Sequence, residues 1–106
     1  MRAEAADTVL DLDLLRQQTG GDEGLMREVL TLFRTHAPAD LALLAAATGY
    51  DRRVYAHRLV GSARGVGAGL VAQLAASVEA GNDGDVSALA EAVRTAADFI
   101  EARFGL

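Results

Sequence analysis

Apolar residues recur at steps of three and four between residues 22 and 47, and this pattern constrains the fold more than any other feature of the chain. Such spacing is typical of an amphipathic α-helix, because positions three and four residues apart share one face. Pro38 removes one backbone hydrogen bond and by itself allows a break near His36, but it does not shift the phase of the pattern. We therefore expect one kinked helix that starts after an Asp22 N-cap and continues to about Ala47. The apolar series is Met26, Val29, Leu30, Phe33, Ala37, Leu41 and Leu44.

Four further segments have helical patterns, and none shows the strict alternation of a β-strand. Thr48 and Asp51 have the spacing of a capping box at the start of one of them, and a second begins after Asp85, which can act as an N-cap. Glycines end the segments, most clearly in the turn Gly81-Asn82-Asp83-Gly84. The predicted helical segments are residues 9–17, 48–67, 69–80 and 85–104.

The links between the four substantial helices are short, and this favours neighbours that run in opposite directions. We therefore expect an all-α chain in which residues 9–106 form an antiparallel up-down-up-down four-helix bundle with a short extra N-terminal helix. Residues 1–8 are polar and rich in alanine, and we expect a flexible tail there.

Composition narrows the classes of function. The 106 residues fit a single domain, and the chain has no cysteine, which excludes disulfides and thiolate metal sites. A net charge of −5 disfavours nucleic-acid binding. No apolar run approaches the roughly 20 residues that span a bilayer, and the N-terminus lacks the apolar segment of a signal peptide. We expect a cytoplasmic monomer that binds neither membrane nor nucleic acid.

His57 lies in a helical segment of unusually small residues, Ala56 to Ala68. A helical projection places it opposite Leu59, Ala63 and Val66, so the imidazole is predicted to face outward rather than into the core. The residues predicted to share its face are Arg53, Val54, Val60, Gly61 and Arg64. An exposed imidazole beside a glycine is open to a large reactant, and arginines can hold an anion there. The pattern indicates a nucleophile that accepts a phosphoryl group.

The sequence around His57 resembles the signature of a known protein family. The run His57-Arg58-Leu59-Val60-Gly61-Ser62-Ala63, followed by Gly67-Ala68, resembles the signature of bacterial histidine-containing phosphotransfer (HPt) domains, and residues 71–79 resemble the helix that follows it in that family. The likeness extends upstream through residues 12–38 and so covers nearly the whole chain. It implies a phosphohistidine formed at Nε2, with the acidic pocket and Mg²⁺ supplied by the partner receiver domain and no cofactor of its own.

One position departs from the family pattern. HPt domains usually have lysine three residues after the histidine, where its ammonium lies near the phosphoryl group, and this chain has Val60. Either an arginine supplies the missing charge or phosphoryl transfer is altered. Arg53 and Arg64 share the predicted face and Arg58 lies to its side, although the three arginines can equally serve only to keep an exposed face solvated.

A docking surface is expected around His57. Tyr50, Val54 and Val60 are predicted to expose apolar groups beside Gly61, a composition typical of a recognition patch. Two leucines of the preceding helix, Leu25 and Leu32, lie off its main apolar stripe and can extend the patch. Each alone is an ordinary surface residue.

The first functional hypothesis is a phosphorelay carrier that accepts a phosphoryl group on His57 from a receiver-domain aspartate and passes it to another receiver. It is not an enzyme, since no ATP-binding glycine-rich motif is present, and it acts only with response-regulator receivers or a hybrid or sensor histidine kinase. The alternative is an HPt-like adaptor that binds these partners without transfer. Metal or haem binding through His36 and His57 lacks further ligands at suitable spacing and is set aside.

Overall fold

The computed structural model describes residues 9–106, and within them all the regular secondary structure is helical. It contains five α-helices and one 3₁₀ turn at Asp83–Asp85. The prediction of an all-α chain is confirmed. The tail predicted for residues 1–8 lies outside the described residues. The helices are α1 (Leu12–Gln18), α2 (Glu23–Ala46), α3 (Gly49–Val66), α4 (Gly69–Glu79) and α5 (Val86–Phe104).

Aspartate side chains start the first two helices. The carboxylates of Asp11 and Asp22 each accept a hydrogen bond of 3.0 Å, from the backbone N–H of Leu14 and of Leu25 respectively. Such bonds satisfy N–H groups that have no partner within the helix. The Asp22 cap is as predicted, whereas α1 begins later than residue 9 because its cap is Asp11. Helix α2 runs through Pro38 without a break.

Two predicted caps do not form. Thr48 precedes α3 but its side chain makes no capping hydrogen bond. Gly49, the first residue of α3, has a φ of +58°, whereas a capping box needs helical geometry at that position. Asp85 does not cap α5 either, because its carboxylate accepts a hydrogen bond from the Ser77 hydroxyl instead. Both helices are therefore held by tertiary contacts more than by their caps.

The four longer helices enclose one core. Helix α3 packs against α2 and α4, α5 packs against the same two helices, and α1 contacts α3. Many of the core residues are alanine, which lets helices approach closely while each contact buries little area. The fully buried large side chains are Leu10, Leu15, Leu30, Leu44, Leu59, Val71, Val78, Leu89, Val93 and Ile100. Across residues 9–106, no helix combines the length and the apolar character that crossing a membrane requires.

Candidate functional site

His57 lies in the middle of α3 and points away from the core. Its side chain is 75% exposed, while Ala56 and Leu59 on the same helix are completely buried. The outward orientation predicted from helical spacing is confirmed. The imidazole is therefore fixed by a rigid helix and remains accessible to a large partner.

A carboxylate from the neighbouring helix α4 holds the imidazole ring. Nδ1 of His57 lies 2.7 Å from Oε2 of Glu79, a short distance typical of a charge-assisted hydrogen bond. An ionised carboxylate can only accept, so Nδ1 must carry the proton and donate it. In the neutral ring, Nε2 then has the free lone pair. The pair thus selects one tautomer and turns the nucleophilic nitrogen away from Glu79.

The predicted exposure of Val60 is wrong. Its side chain is only 5% exposed and belongs to the hydrophobic core. The reason is that α3 packs against two helices, α2 and α4. A larger part of its circumference is therefore buried than a helical projection with one core-facing side suggests. Val60 therefore supplies packing rather than apolar surface to a docking patch.

Because Val60 is buried, a lysine at this position is expected to destabilise the protein. We expect Val60→Lys to lower the free energy of unfolding by about 1–3 kcal/mol, because core packing is lost and the ammonium must bend out to water. Urea denaturation measures the change. Val54→Lys is the matched control, since Val54 on the same helix is 38% exposed and should tolerate lysine within about 0.5 kcal/mol. Equal losses for the two variants would contradict the buried placement.

Arg58 is engaged on the side of α3 that faces α2. Its Nη2 donates to Oδ1 of Asp40 at 3.0 Å, and its guanidinium carbon lies 5.6 Å from the centre of the Tyr55 ring. Asp40 is a buried acidic residue, and Arg58 is the ion-pair partner that makes its burial tolerable. Arg58 is therefore held toward α2, whereas His57 is held toward α4.

Arg53 and Arg64 remain near the imidazole as predicted. Both are exposed, and within residues 9–106 neither forms an ion pair. They lie one turn before and two turns after His57 on the same face of α3. Among residues 9–106, their guanidinium groups are the positive charges that share this face with His57 and have no ion-pair partner there.

The contacts between α2 and α3 place the predicted docking residues relative to His57. Asp40 meets Arg58, while Leu32 and Phe33 line a hollow of 220 Å³ with Gly65 and other residues of α3. Residues later in α2 therefore contact residues earlier in α3.

Asp40 marks the level of His57 along α2. Leu32 lies eight residues before it, or about 12 Å at 1.5 Å per residue, and Leu25 lies about 22 Å before it. Both leucines are exposed. A protein interface of standard size, about 800 Å² per partner, has a radius of roughly 16 Å. A circular interface of that size centred on His57 includes Leu32 and stops short of Leu25, so the docking role of Leu25 stays a prediction.

The glycine and the two apolar residues predicted beside His57 on α3 are exposed. A Cβ built on Gly61 meets no atom within 4 Å, so the surface one turn after His57 is open. Tyr50 is 72% exposed and Val54 is 38% exposed. Gly61 and Val54 lie on the side of His57 toward α2, in the direction of Leu32.

Sequence reasoning did not single out two residues near this site. Glu79 ends the segment 71–79 that resembles the helix after the signature, and no spacing rule connects it with a residue on another helix. Leu43, which is 45% exposed, had not been considered. It follows Leu32 by eleven residues, close to three helical turns, so the two leucines share one exposed face of α2. That spacing was the available signal, and it places Leu43 three residues from Asp40.

The second histidine lies apart from this site. His36 on α2 is exposed and lines the hollow that contains Leu32, as expected for a surface or rim residue. In the part of the chain that the structure describes, no three His, Asp or Glu side chains are grouped to hold a metal ion.

Comparison with known proteins gives this chain no relative: no protein-family model, curated protein or solved structure matches it.

Proposed function

We propose that this chain is a phosphorelay carrier of the histidine phosphotransfer type, with His57 as the phosphoryl acceptor. One observation carries the proposal: an imidazole that is 75% exposed projects from the middle of a packed helix and is oriented through Nδ1 by Glu79. The hydrogen bond occupies one ring nitrogen, and the exposure of the side chain keeps the rest of the ring in contact with solvent. Nε2 is therefore open to a reactant.

The proposed architecture is the antiparallel up-down-up-down four-helix bundle, with α1 as the extra N-terminal helix. The closed ring of contacts among α2, α3, α4 and α5 supports it, as do the short links between them. In such a bundle the outer face of α3 is a rigid platform. The carrier then needs no movement of its own to present His57 to a partner.

The transfer step is a displacement at phosphorus. Nε2 of His57 attacks the acyl phosphate of a receiver aspartate, an N–P bond forms, and the aspartate carboxylate leaves with the electrons of the broken P–O bond. The proton on Nδ1 stays in its hydrogen bond with Glu79. The reverse step delivers the phosphoryl group to the aspartate of a second receiver. Mg²⁺ and the acidic pocket belong to the receiver.

Arg53 and Arg64 are the proposed source of positive charge around the phosphoryl group. They stand in only in part for the lysine that HPt domains usually have at the position of Val60, which here is buried. Arg58 is the weaker candidate because Asp40 already holds its guanidinium. An exposed guanidinium attracts a phosphoryl group in water only modestly, so we assign these residues to steering and weak neutralisation.

The proposed docking surface lies between His57 and the exposed face of α2. It consists of Tyr50, Val54 and Gly61 from α3 with Leu32 and Leu43 from α2. Exposed apolar side chains grouped around an open glycine suit a partner that must bring a flat apolar surface against the imidazole. The partners are response-regulator receiver domains and a hybrid or sensor kinase, and we propose that the carrier works as a monomer in the cytoplasm.

The experiment is a transfer of labelled phosphate. Receiver domains are phosphorylated with radiolabelled acetyl phosphate in the presence of Mg²⁺, separated from the donor and mixed with wild-type protein or with His57→Gln. Label should move to the wild-type protein, in an acid-labile and base-stable form, and not to the variant. His36→Gln is the control for the second histidine and should accept label normally.

The same experiment addresses the adaptor alternative. An adaptor would bind the receivers with similar affinity in the wild-type and His57→Gln forms, and label would reach neither. A panel of receivers that bind the wild-type protein without ever transferring label would therefore replace the carrier proposal with the adaptor.

A further inference from the structure

The carboxylate that orients His57 also faces the ring after the phosphoryl group has been attached. Phosphorylation at Nε2 leaves Nδ1 where it was, 2.7 Å from Oε2 of Glu79. The other charged groups on this face are Arg53 and Arg64, and Val60 supplies none. The phosphorylated ring therefore has a negative charge beside Nδ1 and no ammonium group at the position where HPt domains have lysine.

We propose that Glu79 makes phospho-His57 a short-lived phosphoryl donor by keeping Nδ1 protonated, so that the carrier passes its phosphoryl group on quickly rather than storing it. This inference rests on the proposed function and adds the lifetime of its intermediate. Glu79 touches neither the phosphorus nor Nε2, so it is a positioning residue that acts through the ring.

The chemical reason lies in the leaving group. When the N–P bond breaks, its electron pair returns to Nε2, and a new P–O bond forms to water or to a receiver carboxylate. If Nδ1 carries a proton, neutral imidazole leaves. If Nδ1 is bare, the much more basic imidazolate must leave. A carboxylate that accepts a hydrogen bond from Nδ1 favours the protonated ring and so accelerates N–P cleavage.

The missing lysine acts in the same direction. An ammonium group near the phosphoryl oxygens would stabilise the phosphorylated state, and Val60 is buried and uncharged. Arg58 cannot compensate without breaking its bond with Asp40, a buried carboxylate that would lose its partner. Glu79 therefore speeds cleavage of the N–P bond, the missing ammonium lowers the stability of phospho-His57, and both features favour transfer away from it.

The test uses phosphoramidate, a small donor that phosphorylates histidine without a docking partner. Wild-type protein and Glu79→Gln are phosphorylated, desalted and followed by ³¹P NMR, with His57→Gln used to identify the signal of His57. Glutamine can still accept a hydrogen bond but has no charge. We expect phospho-His57 to last about three to five times longer in Glu79→Gln, a modest factor because both side chains are partly exposed to water.

A matched control and a spectroscopic signature separate this effect from structural damage. Glu91→Gln on α5 removes an exposed carboxylate far along the chain from His57 and should leave the lifetime unchanged. The ¹⁵N shifts of the imidazole should indicate a proton on Nδ1 of His57 in the wild-type protein, both before and after phosphorylation. In Glu79→Gln this preference should weaken.

Two results would overturn the inference: equal lifetimes for wild-type protein and Glu79→Gln, or a phosphorylated wild-type ring without a proton on Nδ1. The second measurement needs only the wild-type protein, so it stands even if the variant folds poorly. Failure of the proposed function has a different signature. In that case the lifetimes differ as expected, but no receiver domain ever exchanges its phosphoryl group with His57.

Discussion

Replacement of Gly61 with arginine is expected to slow phosphoryl transfer from a receiver domain by about thirtyfold or more, since a blocked interface centre costs 2 kcal/mol or more. Gly61 lies one turn after His57, and a Cβ at this position meets nothing within 4 Å. A long side chain therefore fits the free protein without strain and occupies the space that we propose for the receiver. The measurement is the rate of label transfer at fixed receiver concentration.

Three controls make this result specific to docking. Gly61→Ala adds only a methyl group and should transfer at nearly the wild-type rate. Ala102→Arg adds the same charge to an exposed position of α5 and should also have little effect. Phosphorylation of Gly61→Arg by phosphoramidate should be normal, because that donor is small. A normal transfer rate from the receiver to Gly61→Arg would show that the partner approaches His57 from another direction.

Much of this helical chain could be predicted from local patterns. The apolar stripe from Met26 to Leu44 predicted a helix that passes through Pro38, because the phase was the same on both sides of the proline. His57 was predicted to face outward because its opposite face carries Leu59, Ala63 and Val66, which are all buried. Such predictions succeed where the pattern on one helix alone determines whether a segment is helical or which way a side chain points.

Predictions failed where the outcome depends on which helices are neighbours. Val60 lies only 60° from His57 in projection, and a helix with one partner would have left it exposed. A second partner, α4, covers it and also brings Glu79 to the imidazole. The bond between Arg58 and Asp40 is equally invisible in the sequence, because it joins residues 18 positions apart on different helices.

Replacement of Gly67 with alanine is expected to lower the free energy of unfolding by about 2–4 kcal/mol, the largest stability effect that we predict. Gly67 ends α3 with a φ of +76°, a conformation that costs an L-residue about 1–2 kcal/mol. A Cβ there would also lie 2.8 Å from the backbone oxygen of Asp11. The N–H of Asp11 donates to the carbonyl of Gly67 at 2.8 Å, so the clash falls on the contact that attaches α1 to α3.

Gly65→Ala is the matched control for Gly67→Ala. Gly65 lies inside α3 with open space at its Cβ, so alanine should stabilise the protein by about 0.5–1 kcal/mol. Thermal and urea unfolding measure both changes, and similar effects of the two substitutions would contradict the assigned roles.

The site around His57 should be unaffected by Gly67→Ala, because Gly67 lies nearly three turns beyond His57. Under conditions where Gly67→Ala is folded, it should therefore accept a phosphoryl group at the wild-type rate. That outcome would support a chemical role for His57 and a structural role for Gly67, which attaches α1 to α3.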